Sequence, residues 1–154
     1  QAPKAGILRT PYLARLQEYI GNPLVKVLIG QRRAGKSYLL RQIIRSLLEQ
    51  GIKGQNIFYL NKELLEFDSI SNYDDLWSLI KLYREQLHIT GKAYVLLDEV
   101  QDINGWERAV NSLAQNHKEP YEVFISGSNS TMLSGELATL LTGRYIAFEI
   151  FPFS

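Results

Sequence analysis

Cysteine is absent from this 154-residue chain, which excludes disulfides and thiolate-ligated metals and suits a reducing compartment. Histidine occurs only as His88 and His117, with no partner at metal-ligand spacing, so both read as solvated residues near helix ends. No apolar run approaches the ~18 residues of a membrane-spanning helix, and the first residues carry no signal-peptide pattern. A cytoplasmic location with no membrane partner is therefore expected. Neither sign of charge prevails, because 17 Lys and Arg face 16 Asp and Glu for a net +1. The basic residues are dispersed rather than striped, which leaves nucleic acid a weakly supported partner class. Repeats and low-complexity tracts are also missing. A length of 154 residues with 45% hydrophobic residues describes one ordinary domain able to bury a core.

What is present is more telling. Gly30-Gln31-Arg32-Arg33-Ala34-Gly35-Lys36-Ser37 fits G-x-x-x-x-G-K-[ST], the phosphate-binding P-loop, at every position. Leu24 to Ile29 before it is an apolar, β-branched run that reads as a buried strand. From Tyr38 to Leu48 the spacing predicts a helix with Leu40, Ile43, Ile44, Leu47 and Leu48 on one face. Strand, glycine loop and helix form the context the motif requires. Gly30 and Gly35 allow backbone conformations a Cβ forbids, so successive N–H groups can turn toward a phosphate at the helix N-terminus. Lys36 suits the β- and γ-phosphates, the Ser37 hydroxyl is a natural Mg²⁺ ligand, and Tyr38 adjoins them.

Ala93 to Leu97 is a second apolar run, too continuous for a half-exposed strand, and it ends in Asp98-Glu99. A carboxylate at the end of a central parallel strand suits Mg²⁺, the role given to Asp98. A second carboxylate, Glu99, can polarise a water for in-line attack on a γ-phosphorus. A GTPase would show D-x-x-G here, whereas the chain reads Asp98-Glu99-Val100-Gln101. Asn61-Lys62-Glu63-Leu64 lacks the Asp of a guanine-reading N-K-x-D and follows the second strand rather than a late one. Adenine is the expected base.

Tyr121 to Ser126 reads as a further strand running into Gly127-Ser128-Asn129-Ser130. Ser128 and Asn129 are candidate sensors of the γ-phosphate, with Ser126 as an alternative; a plain loop with Ser130 capping the next helix is the competing reading. Arg144 follows a helix carrying Leu133, Leu137, Leu140 and Leu141 on one face and precedes the strand Tyr145 to Ile150. It reads either as a finger that stabilises transferring charge in a neighbouring subunit or as a cation at a helix C-terminus. Thr10-Pro11 opens a covering helix with Leu13, Leu16 and Ile20 on one stripe, and Arg9 and Tyr12 are candidate base contacts. Ile57 to Asn61 is a strand. Helices are expected over Tyr73 to Leu87, with Leu76, Leu79, Ile80, Tyr83 and Leu87 inward, and over about Gly105 to Asn116, with Trp106 in the core.

Together these residues resemble the AAA-type ATPases, in particular a bacterial and archaeal family of largely uncharacterised ATPases marked by G-x-R-R-x-G-K-[ST] and D-E-x-Q-x-x-x-x-W. Here the motifs are Gly30 to Ser37, and Asp98-Glu99-Val100-Gln101 with Trp106. The resemblance runs on through Leu141-Thr142-Gly143-Arg144-Tyr145 to Phe151-Pro152-Phe153-Ser154. It implies an α/β fold, a P-loop NTPase three-layer αβα sandwich on a parallel five-stranded sheet in order 5-1-4-3-2. It also implies ATP with Mg²⁺, Lys36 and Glu99 as catalytic groups, Ser37 and Asp98 at the metal, and Arg144 as a homo-oligomer contact. Hydrolysis coupled to movement of an attached domain is the expected function, and a slow-hydrolysing switch acting through partner binding is the alternative. A helical lid follows such cores in this class. A chain that starts at Gln1 and stops after the fifth strand is expected to be the ATPase core, residues 1–154, of a longer polypeptide.

Overall fold

The computed structural model describes residues 12–31, 34–128 and 134–151. Five strands alternate with helices along the chain: α1 (12–18), β1 (Val25–Gly30), α2 (Lys36–Glu49), β2 (Ile57–Asn61), α3 (Tyr73–Gln86), β3 (Ala93–Asp98), α4 (Trp106–Ala114), β4 (Tyr121–Gly127), α5 (Ser134–Leu140) and β5 (Tyr145–Ile150). All neighbouring strands pair in parallel in the order β2-β3-β4-β1-β5. Read from the other edge this is the expected 5-1-4-3-2.

Parallel strands need crossover helices, which cover both faces of the sheet. β1 and β3 are accordingly buried at every position, so their sequences show no polar alternation. Side chains still alternate in space. Val25, Val27 and Ile29 of β1 join Val95, Leu97, Val123 and Ile125 against Leu76, Ile80, Val110, Leu113 and Leu137 of α3, α4 and α5. Leu28, Leu96, Phe124 and Phe148 pack on the other face against Leu16 of α1 and Leu39, Leu40, Ile43 and Leu47 of α2. The result is the three-layer sandwich. Trp106 lies in the first of these cores.

Two expected helix faces shift at their ends. Leu48 is 48% exposed while Leu39 is fully buried. At 100° per residue Leu48 lies roughly 130° around α2 from the centre of the buried face. On α3, Leu87 falls just past the last helical residue and is exposed, and Arg84 takes the buried place instead. Its Nε pairs with Glu119 at 3.2 Å, its Nη2 donates to the Gly91 carbonyl, and its guanidinium lies over the Tyr121 ring.

At the starts of β1 and β4 a buried charge cluster ties the sheet together. Lys26, fully buried, pairs with Glu122 at 3.0 Å and donates to the Asn22 carbonyl. Glu122 also accepts the Gly21 N–H and pairs with Lys92. Burial, working against Glu122, holds the Lys26 ammonium below its ordinary pKa. His88 and His117 are exposed, and among the described residues no three His, Asp or Glu side chains converge as metal ligands. No described helix is long and apolar enough to cross a membrane.

Candidate functional site

The loop after β1 is shaped by two glycines with different constraints. A Cβ on Gly30 would meet the Ile150 carbonyl oxygen at 2.6 Å, so only glycine fits beside β5 there. Gly35 takes φ +97°, a left-handed conformation, as it caps α2. Having no side chain, Gly35 gives the first turn of α2 no side-chain acceptor. The leading N–H groups of that 14-residue helix are therefore left to an outside acceptor, and the helix dipole favours an anion there.

Lys36 turns inward rather than to solvent and is only 3% exposed. Its Nζ donates to the carbonyl oxygens of Gly30, at 2.7 Å, and Gly127, at 2.9 Å, which close β1 and β4. The same ammonium pairs with Glu99 Oε2 at 3.3 Å. Glu99 stands just beyond β3, so three parallel strands deliver partners to one cation at their C-terminal ends. This is the edge where open α/β sheets bind ligands.

Asp98, fully buried, ends β3 beside this group. Its Oδ1 accepts the Ser126 hydroxyl, and its Oδ2 accepts those of Ser37 and Tyr59. Ser126 Oγ accepts the Glu99 backbone N–H at 2.9 Å in turn. One serine thus orients both carboxylate residues. Burial, reinforced by the neighbouring Asp98 charge, pushes the Tyr59 phenol well above its ordinary pKa, so it stays a donor. Hydroxyl and carboxylate oxygens side by side, Ser37 and Asp98, match what Mg²⁺ prefers.

Among the other sequence-predicted residues, Ala34 is buried in the α2 core, Tyr38 is half-buried and Gln31 exposed on the same loop. Ser128 is half-buried just past β4. Arg9, Arg32, Arg33 and Asn129 lie outside the described residues. Tyr12 sits on the loop side of the sheet, its hydroxyl accepting the Phe151 N–H at 3.4 Å just past β5. Arg144 does not join its own chain's loop. It is exposed, its carbonyl accepts the Val25 N–H, and the next residue pairs with Val25 at the start of β1. The full length of β1, roughly 17 Å of extended strand, separates that point from Gly30.

Sequence reasoning gave Tyr59 and Gln101 no role. Tyr59 is two residues before the end of β2, an aromatic hydroxyl in a strand that pairs with β3, which is the signal that could have found it. Gln101 donates Nε2 to Glu99 Oε1 at 2.8 Å. Its signal was its place two residues after the acidic pair.

Residues 22–154 match a family model described as an AAA domain. An uncharacterised Haemophilus influenzae protein is 41% identical over 98% of this chain, which spans 37% of that protein's length. The solved P-loop NTPase domain of a sigma-54 transport activator from E. coli superposes with TM-score 0.52 at 13% identity, over 97% of this chain and 98% of that one. The genome packaging NTPase B204 of Sulfolobus turreted icosahedral virus 2, solved with ATP-gammaS, gives TM-score 0.52 at 18% identity, over 77% and 72% of the two chains.

Proposed function

The chain belongs to the AAA domain family, and from that membership we propose that it binds Mg-ATP on the loop of Gly30 to Ser37 and hydrolyses it. The observation that carries the reading is the meeting of Lys36, Ser37, Asp98 and Glu99 at the N-terminus of α2. An anion of several charges is the ligand such a point favours. Ser37 and Asp98 would hold Mg²⁺, which would supply neutralisation of the charge that develops on the phosphates.

The ammonium of Lys36 leaves its two carbonyl partners for the β/γ-phosphates. That breaks its pair with Glu99 and frees the carboxylate to orient a water and take its proton. Ser128 and Asn129 sense the γ-phosphate from the loop after β4. Arg144, far from its own loop, acts on the nucleotide of a neighbouring copy, which makes the active form a homo-oligomer. The resulting cycle moves an attached domain or partner, with residues 1–154 as the ATPase core of a larger cytoplasmic protein.

The Lys36–Glu99 pair also favours a second reading. It has to open before water can be activated, which suits a slow-hydrolysing switch that acts through partner binding. Phosphate release from Mg-ATP, measured per protomer against protein concentration, tests both. A specific rate that rises with concentration and is lost in Lys36→Ala and Arg144→Ala supports the oligomeric motor. A flat rate unaffected by Arg144→Ala moves the switch ahead. Normal Mg-ATP binding by Lys36→Ala sinks the site itself.

A further inference from the structure

The turn after β3 folds a second side chain onto Glu99. Glu99 takes φ 57° and ψ 52°, left-handed for a residue with a Cβ, and leads into a 3-10 turn over Val100–Asp102. Residues two apart along a strand stand about 6.7 Å from each other. The left-handed kink closes that gap, and Gln101 Nε2 reaches Glu99 Oε1 at 2.8 Å. The carboxylate is thus held at both ends, because Oε2 faces Lys36 Nζ at 3.3 Å.

The other end of the Gln101 amide shows what the contact is for. Among the described residues its Oε1 is buried with no hydrogen-bond partner, a stranded acceptor that costs folding free energy. Turning the amide over would set oxygen against a carboxylate, and neither group donates. An apolar side chain of similar length would strand nothing at position 101 itself, though Glu99 Oε1 would lose its donor. The fold keeps an amide here with its N–H on Glu99 and leaves the other end unmet.

We propose that Gln101 is a positioning residue for ATP hydrolysis, holding Glu99 Oε1 in place when Lys36 leaves Oε2 for the phosphates. The inference rests on Glu99 orienting the attacking water. With Oε1 engaged, Oε2 is the oxygen left to accept the proton from water as its oxygen bonds to the γ-phosphorus and the β–γ bridging bond breaks. With no partner on Oε1, the released carboxylate rotates away from the line of attack.

The test is Gln101→Met, which keeps length and volume and removes the amide. The expected result is a kcat about 10- to 100-fold lower with a KM for Mg-ATP within about twofold. A purely structural role would lower the rate by the same factor whatever stands at position 99. In a Glu99→Gln background, followed by single turnover, Gln101→Met lowers the residual rate by no more than about twofold. An equal loss in both backgrounds, or a change in KM in place of kcat, overturns the inference. A wild-type rate in Gln101→Met beside a crippled Glu99→Gln overturns it alone. Wild-type turnover in Glu99→Gln defeats the reading of Glu99 and the inference with it, and that result is visible with position 101 untouched.

Discussion

Tyr59 and Asp98 are 39 residues apart in the chain and joined by a 2.9 Å hydrogen bond across β2 and β3. Asn61 pairs directly with Asp98, so Tyr59 reaches the carboxylate on the diagonal, a distance an aromatic side chain spans. The contact fixes one oxygen of the group assigned to Mg²⁺. Partners one step removed from a metal ligand set its orientation and its affinity.

Tyr59→Phe therefore raises the Mg²⁺ concentration needed for half-maximal ATP turnover, by about tenfold. Folding loses only about 1 kcal/mol, because Ser37 still donates to the same oxygen. A Mg²⁺ titration of phosphate release, read beside urea unfolding, separates the two effects.

Ser126→Ala has a larger effect on stability. The fully buried hydroxyl accepts from Glu99 and donates to Asp98, so its loss strands one donor and weakens one carboxylate. The expected cost is about 2–3 kcal/mol. A fall in the denaturant midpoint with an unchanged slope is the signature. An unchanged midpoint would mean that water replaces the serine.

Glu99→Gln acts in opposite directions on binding and chemistry. Removing the charge paired with Lys36 frees the ammonium for phosphate, so Mg-ATP binds about tenfold more tightly, or 1.4 kcal/mol. Turnover falls by roughly 10²- to 10⁴-fold with the general base gone. Equilibrium titration with a fluorescent ATP analogue checks the first and phosphate release the second. Weaker binding would refute the competition between Glu99 and nucleotide.

At the start of α3 the expected effect is one of acidity. Asp75 accepts from the Ser71 and Asn72 backbone N–H groups and the Ser71 hydroxyl, while Asn72 accepts the Asp75 N–H. These bonds, the Ser71 backbone N–H foremost, hold the Asp75 carboxyl below its usual 3.8. The unfolded chain takes up that proton first, so the stabilisation is complete above 3.8 and drains away as pH falls through the lower folded value. Wild type is thus more stable than Asp75→Asn at neutral pH, and the gap closes under acid. A gap independent of pH in urea titrations would remove the carboxylate from the explanation.

Much of this arrangement was readable from local patterns. The P-loop is contiguous, from Gly30 to Ser37, and Asp98-Glu99 closes an apolar run too continuous for a half-exposed strand. Both signals concern neighbours in the chain. The sheet order, in contrast, came from resemblance to a family, since apolar runs buried on both faces say nothing of which strand lies beside which. The hydroxyls on Asp98 come from residues 28 to 61 positions away, so only the strand register brings them there. Arg84 and Lys26 escaped for another reason. A charged residue in a helix or strand reads as solvent-facing until partners such as Glu119 and Glu122 are found across the fold.

The ammonium of Lys36 has one more consequence. It touches the residue that ends β1, the residue that ends β4 and the one just beyond β3. A ligand that draws this cation away unties three strand ends in one step. Amide exchange at Gly30, Glu99 and Gly127 then rises and falls together as nucleotide comes and goes, so a single charge makes three separate backbones report on one occupancy.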